Sequence, residues 1–281
     1  MKVYISVDME GIAGIATLDQ IVQGQAGYAA AQALMTAETN AAILGAVEAG
    51  ASEVTVSDSH GRMDNLLHAE LDPRARLVFG TPRAQCMAHG LTPDFDVALF
   101  VGYHAPGGAP GVLAHTFSSE FARMRVNGRE VSEAEVNALY AASRGVPVGL
   151  ITGDDQICEL AAKVIPGVGT AEVKTAEGWN ATNSVSPSVA RELIQEGASL
   201  AVQSASSLSP LAVPDDLIVE LDLQIPEAAE LLAFIPGSER LGELTVRQQV
   251  ADIDELLALI TVWYQLAAAA RRGRAALTAR R

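Results

Sequence analysis

Short apolar runs alternate along the first half of the chain with longer, alanine-rich stretches of helical character. The runs are VYISV at 3–7, EVTVS at 53–57, VALFVGY at 97–103 and VGLIT at 148–152. Continuous apolar runs of this length, separated by helical stretches, are typical of strands buried in a parallel sheet. The pattern predicts an α/β fold with a parallel-stranded, three-layer N-terminal domain.

Helices and turns between the runs can also be placed. A helix is predicted over 28–49, because Gly50 follows it as a C-cap residue. Asn127-Gly128 lies between alternating residues and predicts a two-residue β-hairpin. A further helix is predicted over 133–143, ending before Gly145.

The pattern of apolar runs and helical stretches changes beyond Pro166. Strands are predicted at 170–175, 216–223 and 242–250, and helices at 188–196, 226–234 and 253–270. This pattern indicates a smaller α+β C-terminal domain over 167–281, after the α/β domain over 1–166.

Acidic residues and histidines follow all four strands of the first half. They are Asp8 and Glu10, Asp58 and His60, His104, and Asp154 and Asp155. Each would also suit a solvated loop, but the carboxyl ends of parallel strands meet at one edge, where α/β folds bind ligands. Asp8 and Glu10 can point to the same side, with no lysine or arginine nearby. Because paired carboxylates are costly without a cation, the pattern predicts a divalent metal site.

Two further residues are candidates for this site. Ser132 and Glu135 fit a capping box, which explains Glu135 but not Glu133. Glu133 either complements the helix dipole or enters the site as a fifth ligand. His115 follows the Gly- and Pro-rich segment 105–111, which lacks the phosphate-loop signature and can bring His115 over the site.

Together these motifs resemble the zinc-dependent D-aminopeptidase family, peptidase family M55. The matching segments, in family order, are SVDMEGIAG at 6–14, DSHGRMDNL at 58–66, GYHA at 102–105, PGVLAHTF at 110–117, the helix start at 131–140 and GDD at 153–155. The resemblance implies two zinc ions per subunit, ligated by Asp8, Glu10, His60, His104 and Glu133. It also implies that Asp8 bridges the ions and that His115 is catalytic. The sequence around Glu133 departs from the family's more apolar helix start.

The activity implied by the resemblance is hydrolysis of short peptides with a free N-terminus, carrying a D-residue there. The ions would activate a water, with His115 as proton shuttle or nucleophile. Asp154 or Asp155 could orient a ligating imidazole. The oxygen and imidazole ligands also suit manganese or cobalt. The family resemblance further implies a homo-oligomer, with a ring-shaped decamer as one form.

Two other functions remain open at this stage. One is a dinuclear-metal hydrolase of another bond, such as a phosphoester or a cyclic amide. The other is a non-catalytic α/β protein whose strand-end acids bind a cationic ligand. Metal content and a substrate panel distinguish them.

Composition narrows the choice of partners. The 281 residues include 34 acidic and 19 basic side chains, for a formal net charge of −15. This balance disfavours nucleic acid and anionic membranes as partners. Apolar residues make up 49% and charged residues 19%, which excludes a disordered chain and suggests that partner subunits cover part of the surface.

The remaining features indicate a cytoplasmic protein. Two cysteines are too few for a disulfide framework, and the start of the chain lacks a signal-peptide pattern. The apolar stretch at 256–270 is shorter than the ~20 residues of a membrane span and predicts a buried helix. The five C-terminal arginines predict a solvated tail or favourable charge at a helix end; they are Arg271, Arg272, Arg274, Arg280 and Arg281.

Overall fold

The computed structural model of the chain describes residues 1–278, and the side chains of residues 1–276. The strands are β1 (Lys2–Val7), β2 (Glu53–Asp58), β3 (Ala75–Val78), β4 (Val97–Tyr103), β5 (Phe121–Val126), β6 (Arg129–Glu130), β7 (Val148–Asp154), β8 (Gly169–Gly178), β9 (Ala181–Ser184), β10 (Leu217–Leu223), β11 (Ser238–Arg240) and β12 (Thr245–Val250). The helices are α1 (Leu18–Ile21), α2 (Tyr28–Glu48), α3 (Glu133–Ser143), α4 (Asp155–Val164), α5 (Pro187–Ser204), α6 (Pro226–Leu232) and α7 (Ile253–Thr278).

The larger sheet forms the middle layer of the fold. Its strand order is β3-β2-β1-β4-β7-β8-β9, and every pairing is parallel except that of β8 with β9. Successive side chains of a strand point to opposite faces. Val97 and Leu99 therefore share a core with α2 and α5, whereas Phe100 packs into a second core with α3 and α4. The predicted three-layer α/β architecture with a parallel sheet is confirmed.

The smaller sheet is antiparallel, with the order β11-β12-β10-β5-β6. Its apolar side chains share the second core with α6 and α7. The predicted hairpin joins β5 to β6, and Asn127 (φ 51°) and Gly128 (φ 77°) both adopt the positive φ that such a turn requires.

The two sheets do not divide the chain at residue 166. The β5–β6 hairpin precedes that position yet belongs to the smaller sheet, while β8 and β9 follow it and extend the larger sheet. The helix α5 also packs against α2, on the larger sheet's face. The predicted division into 1–166 and 167–281 therefore differs from the pairing of the strands, which depends on tertiary contacts and not on order along the chain.

Most predicted elements are present, with some differences in length. The observed α3 has the predicted bounds, and α2 ends at Glu48, with Gly50 at φ 100° directly after its C-cap. The helix α5 continues to Ser204, eight residues beyond the predicted end. The strands β3, β9 and β11 and the helices α1 and α4 were not predicted. Of these, β3 is a half-buried edge strand, and α4 begins directly after the last residue of β7.

The C-terminal helix packs one face into the core. By length and composition, the stretch Ile253–Ala276 would suffice to cross a membrane. Leu256, Ile260 and Trp263 are buried against the smaller sheet and α6, as expected of a core helix. Two of the arginines that follow are about half exposed and form ion pairs: Arg271 pairs with Glu120, and Arg274 with Glu227. Arg280 and Arg281 lie outside the described residues.

Candidate metal centre

The first strand delivers two carboxylates to the carboxyl edge of the larger sheet. Asp8 and Glu10 are each only 2% exposed. The backbone N–H of Gly11 donates to the Gly102 carbonyl oxygen at 2.7 Å. A Cβ on Gly11 would lie 2.0 Å from the carbonyl oxygen of Tyr103, so only glycine lets the segment after β1 approach the end of β4 this closely. This close approach brings Glu10 beside the residues that follow β4.

The second strand supplies His60 from a tightly held loop. The Asp58 carboxylate accepts hydrogen bonds from the backbone and side-chain amides of Asn65, both at 2.6 Å. The Asn65 side chain in turn donates to the carbonyl oxygen of His60 at 2.6 Å. This arrangement directs His60 Nδ1 toward two carboxylates, 2.9 Å from Glu10 Oε2 and 3.3 Å from Asp8 Oδ1.

His104 follows β4 and lies between the carboxylates of Asp8 and Glu133. Its Nε2 is 3.3 Å from Asp8 Oδ2 and 3.4 Å from Glu133 Oε1. Glu133 is the first residue of α3, and its carboxylate also accepts the backbone N–H of Phe117. The two oxygens of Asp8 thus face different imidazoles, Oδ1 facing His60 and Oδ2 facing His104.

His115 lies over this cluster, as its position after the Gly- and Pro-rich segment predicted. Its ring stacks on that of His104, with centroids 4.2 Å apart and planes within 10°. His115 Nε2 is 3.7 Å from Glu133 Oε1 and 4.0 Å from Glu10 Oε1. The side chain is 25% exposed and lines a cavity of about 710 Å³ above the cluster.

The hydrogen bonds of the three imidazoles assign their tautomers. In each ring, the nitrogen that points away from the cluster lies against a backbone carbonyl oxygen: His60 Nε2 on Ile21 (2.8 Å), His104 Nδ1 on Ala105 (2.9 Å) and His115 Nδ1 on Leu113 (2.9 Å). A carbonyl only accepts, so these nitrogens carry the proton. In the neutral rings, the nitrogens facing the cluster are then acceptors among carboxylate acceptors, an arrangement that calls for a cation.

One family of known proteins matches most of this chain. The family model for D-aminopeptidase, peptidase family M55, matches residues 1–262. The chain belongs to the D-aminopeptidase family.

A relative and a solved structure support this membership over nearly the whole chain. A D-aminopeptidase of Bacillus subtilis (strain 168) is 36% identical over 268 residues, which cover 95% of this chain and 98% of the relative. The structure of the Zn-dependent D-aminopeptidase DppA from Bacillus subtilis, described as a self-compartmentalizing protease, superposes with a TM-score of 0.92 at 35% identity, covering 95% and 98% of the two chains. The resemblance inferred from the motifs is confirmed, and with it the expectation of a metal-dependent aminopeptidase.

The residues that the D-aminopeptidase resemblance nominated as ligands all lie together in the structure. Donor atoms of Asp8, Glu10 and His104 are within 4.8 Å of one another, as are those of His104, His115 and Glu133. The Nε2 atom of His104 is buried without a hydrogen-bond partner. An orphaned acceptor between two carboxylates fits a metal ligand, and the donor set of imidazole nitrogens and carboxylate oxygens fits zinc.

The electrostatics of the cluster also require a positive charge. Burial alone would lower the pKa of His60 and of His104, but the adjoining carboxylates hold both pKa values well above the usual range. Burial alone would raise the pKa of Glu10, but His60 holds that pKa well below its usual range. Without metal, protons on the imidazoles balance the carboxylates. Since a ligating imidazole must be neutral, protons and a divalent ion compete for this site.

The expectation that Asp154 or Asp155 orients an imidazole is wrong. Asp154 caps α4 through the N–H of Ile157, and its other oxygen accepts the N–H of Val112 at 2.7 Å. Asp155 accepts the N–H of Ala176 at 2.7 Å. Backbone carbonyls orient the imidazoles instead, and Asp154 acts at a distance by fixing the segment that precedes His115.

The structure contains one supporting residue that the sequence did not predict. Lys174, at the carboxyl edge of the sheet in β8, is buried and donates to the carbonyl oxygens of Glu10, Ile12 and Ile15. Burial lowers the pKa of Lys174 to about 8. These three bonds fix the segment after Asp8. The sequence signal for this role is weak. Lys174 follows Val173 in a predicted strand, and the alternation of side chains would place this lysine on the solvent side.

The helix cap beside the metal centre is only half of the predicted capping box. The Ser132 side chain accepts the backbone N–H of Glu135 at 3.1 Å, as expected. The Glu135 carboxylate does not return to the cap; it pairs with Arg129, whose side chain reaches across from the hairpin. Glu135 is therefore anchored structurally, whereas the adjacent Glu133 faces His104.

Glu133→Gln and Glu135→Gln should separate the two acids. We expect Glu133→Gln to lower zinc affinity on the order of 10-fold or more while α3 stays intact, because an amide removes a negative ligand. Glu135→Gln should leave zinc content unchanged, because the Glu135 carboxylate pairs with Arg129 and not with the imidazoles. Zinc titration and thermal melting measure both effects. The opposite ranking would mean that the acids are assigned the wrong way round.

Proposed function

We propose that this chain hydrolyses the N-terminal peptide bond of short peptides that begin with a D-residue, using two zinc ions per subunit. The observation that carries the proposal is the placement of Asp8, whose two carboxylate oxygens each lie 3.3 Å from a different imidazole nitrogen. One carboxylate that faces two separate ligand groups is suited to bridging two ions.

The ligands divide naturally between the two ions. Glu10 and His60 would hold one ion with Asp8 Oδ1, and His104 and Glu133 would hold the other with Asp8 Oδ2. Zinc is favoured because the relative DppA is Zn-dependent. Manganese and cobalt suit the same ligands.

His115 is the residue proposed to move the proton. Bound zinc would supply a Lewis acid that activates water and polarises the scissile carbonyl. His115 Nδ1 is held by the Leu113 carbonyl, which leaves Nε2 free to accept a proton and return it to the departing amine. The exposed part of the ring faces the cavity, where substrate would lie. We favour this shuttle over direct nucleophilic attack.

The cavity favours a peptide over a phosphoester. Among its lining residues in the described part of the chain, none is lysine or arginine. Phosphoryl groups are commonly bound by such cations, whereas a peptide with a free amino terminus needs none. The carboxylates that line the cavity are those of Asp8, Glu10 and Glu133, which are assigned to the zinc ions.

The proposal extends to assembly. The relative DppA is a self-compartmentalizing protease, and this chain matches 98% of its length. We infer that this chain also forms a homo-oligomer that encloses its active sites, with a ring-shaped decamer as the expected form. The low charged fraction of 19% supports covered subunit surfaces.

Metal removal and a stereochemical panel test the activity. The chelated protein should hydrolyse D-Ala-D-Ala and D-Ala-Gly-Gly at background rate, and added zinc should restore turnover, because the proposed chemistry depends on the ions. The L-Ala counterparts should react more slowly. A matched panel with a phosphomonoester and a cyclic amide tests the other hydrolases. Full peptidase activity in protein shown to be metal-free would contradict the proposal.

A further inference from the structure

The rim of the catalytic cavity carries large apolar side chains that the fold leaves open. Trp179 lies in the turn between β8 and β9, lines the cavity that contains His115, and is 47% exposed. Leu18 and Val22, at the two ends of the short helix α1, line the same cavity and are 49% and 44% exposed. These side chains give the cavity rim exposed apolar surface.

The indole of Trp179 is fixed relative to His115. Its backbone carbonyl accepts the N–H of Leu113 at 2.8 Å, and its Nε1 donates to the carbonyl oxygen of Ala114 at 3.0 Å. Leu113 adopts a positive φ of 54°, and its own carbonyl holds His115 Nδ1. The ring that we assign to proton transfer and the exposed indole are therefore tied to the same three-residue segment.

The indole and His115 line the same cavity and are hydrogen-bonded to the same segment. Because His115 is proposed to protonate the departing amine, an indole held by its segment is suited to meet the residue that leaves. An indole whose exposed surface is apolar and rigid gains from covering a hydrophobic or aromatic side chain, through both buried area and ring stacking. It offers nothing comparable to a glycine.

We propose that Trp179 contacts the substrate and gives the enzyme a preference for peptides whose second residue carries an aromatic or large aliphatic side chain. This inference rests on the proposed aminopeptidase function and specifies its substrate class. Leu18 and Val22 complete the surface that receives this side chain. The bond from Nε1 to Ala114 keeps the indole in place for that contact.

A panel that differs only in the second residue tests this preference. The zinc-loaded enzyme should hydrolyse D-Ala-Phe and D-Ala-Leu with kcat/KM on the order of 10-fold or more above that for D-Ala-Gly, with D-Ala-Ala between them. Trp179→Ala should reduce this spread to within about 3-fold, chiefly by raising KM for D-Ala-Phe and D-Ala-Leu. Any change in the rate common to the four peptides cancels in the ratios of kcat/KM, so these ratios measure the loss of preference.

Two further variants separate substrate contact from a merely structural role. Trp179→Phe keeps an aromatic wall but loses the donor to Ala114, so we expect it to retain the preference for D-Ala-Phe. Phe234→Ala removes an aromatic ring that is 81% exposed and does not line the cavity. That control should leave every kcat/KM unchanged.

The outcomes distinguish this inference from the function on which it rests. Equal kcat/KM for the four peptides in wild type would overturn the inference alone. An equal fall in kcat for all peptides in Trp179→Ala, with the spread preserved, would overturn it as well and leave Trp179 a purely structural residue. Hydrolysis of none of the peptides by the zinc-loaded wild type would overturn the proposed function, and this inference with it.

Discussion

Asp8→Ala should remove both of the proposed zinc ions and reduce peptide hydrolysis by at least about 10³-fold. A catalytic metal supplies several kcal/mol of transition-state stabilisation, and each ~1.4 kcal/mol corresponds to a factor of ten in rate. Asp8 is the residue whose oxygens face both His60 and His104, so its loss affects both ions at once. Elemental analysis of the purified variant, together with kcat/KM for D-Ala-D-Ala, measures both parts of the expectation.

Glu10→Ala is the matched control, because it removes a carboxylate of equal burial from the same segment. Glu10 lies 2.9 Å from His60, whereas the carboxylates 3.3–3.4 Å from His104 are those of Asp8 and Glu133. This variant should therefore retain about one zinc ion per chain. Circular dichroism should show both variants folded, since both residues lie after the end of β1 and not within a strand of the larger sheet. Wild-type zinc content in Asp8→Ala would remove Asp8 from the metal centre.

The location of the site was predictable because it follows from strand geometry. Runs such as VALFVGY contain enough consecutive apolar residues to identify strands buried on both faces, and parallel strands end at a common edge. Asp8, His60 and His104 meet at that edge in the structure. Glu133 was harder to place, since a first-turn acid has an ordinary explanation in the helix dipole. Its approach to His104 depends on where α3 packs.

The features that the sequence did not predict depend on contacts between distant segments. The β5–β6 hairpin pairs with β10, about 90 residues further along the chain, and no local pattern specifies that partner. Lys174 resembles an ordinary solvent-facing strand residue until the segment after Asp8 folds over it. Asp154 resembles a strand-end ligand. Its carboxylate instead caps α4 by accepting the N–H of Ile157, and it also accepts the N–H of Val112.

His115 is the residue for which distance alone leaves two roles. Its Nε2 lies close enough to Glu133 and His104 for the three to hold a metal ion together. Two observations favour proton transfer. The ring is 25% exposed toward the cavity, whereas His104 is buried, and its nearest carboxylate oxygen is 3.7 Å away, further than either contact of His60. A side chain open to substrate and outside the closest ligand contacts is suited to carrying a proton.

His115→Ala should therefore separate chemistry from metal binding. We expect turnover to fall by roughly 10²–10⁴-fold, the range for loss of a positioned proton-transfer group. Zinc content should remain near that of wild type, and the melting temperature should change little. The substitution removes a ring that stacks on His104 but leaves the proposed zinc ligands, including Asp8, in place. Added imidazole should restore part of the rate, because the cavity of about 710 Å³ has room for it beside the vacated position. Loss of zinc from this variant would instead make His115 a ligand, and unchanged turnover would exclude it from the reaction.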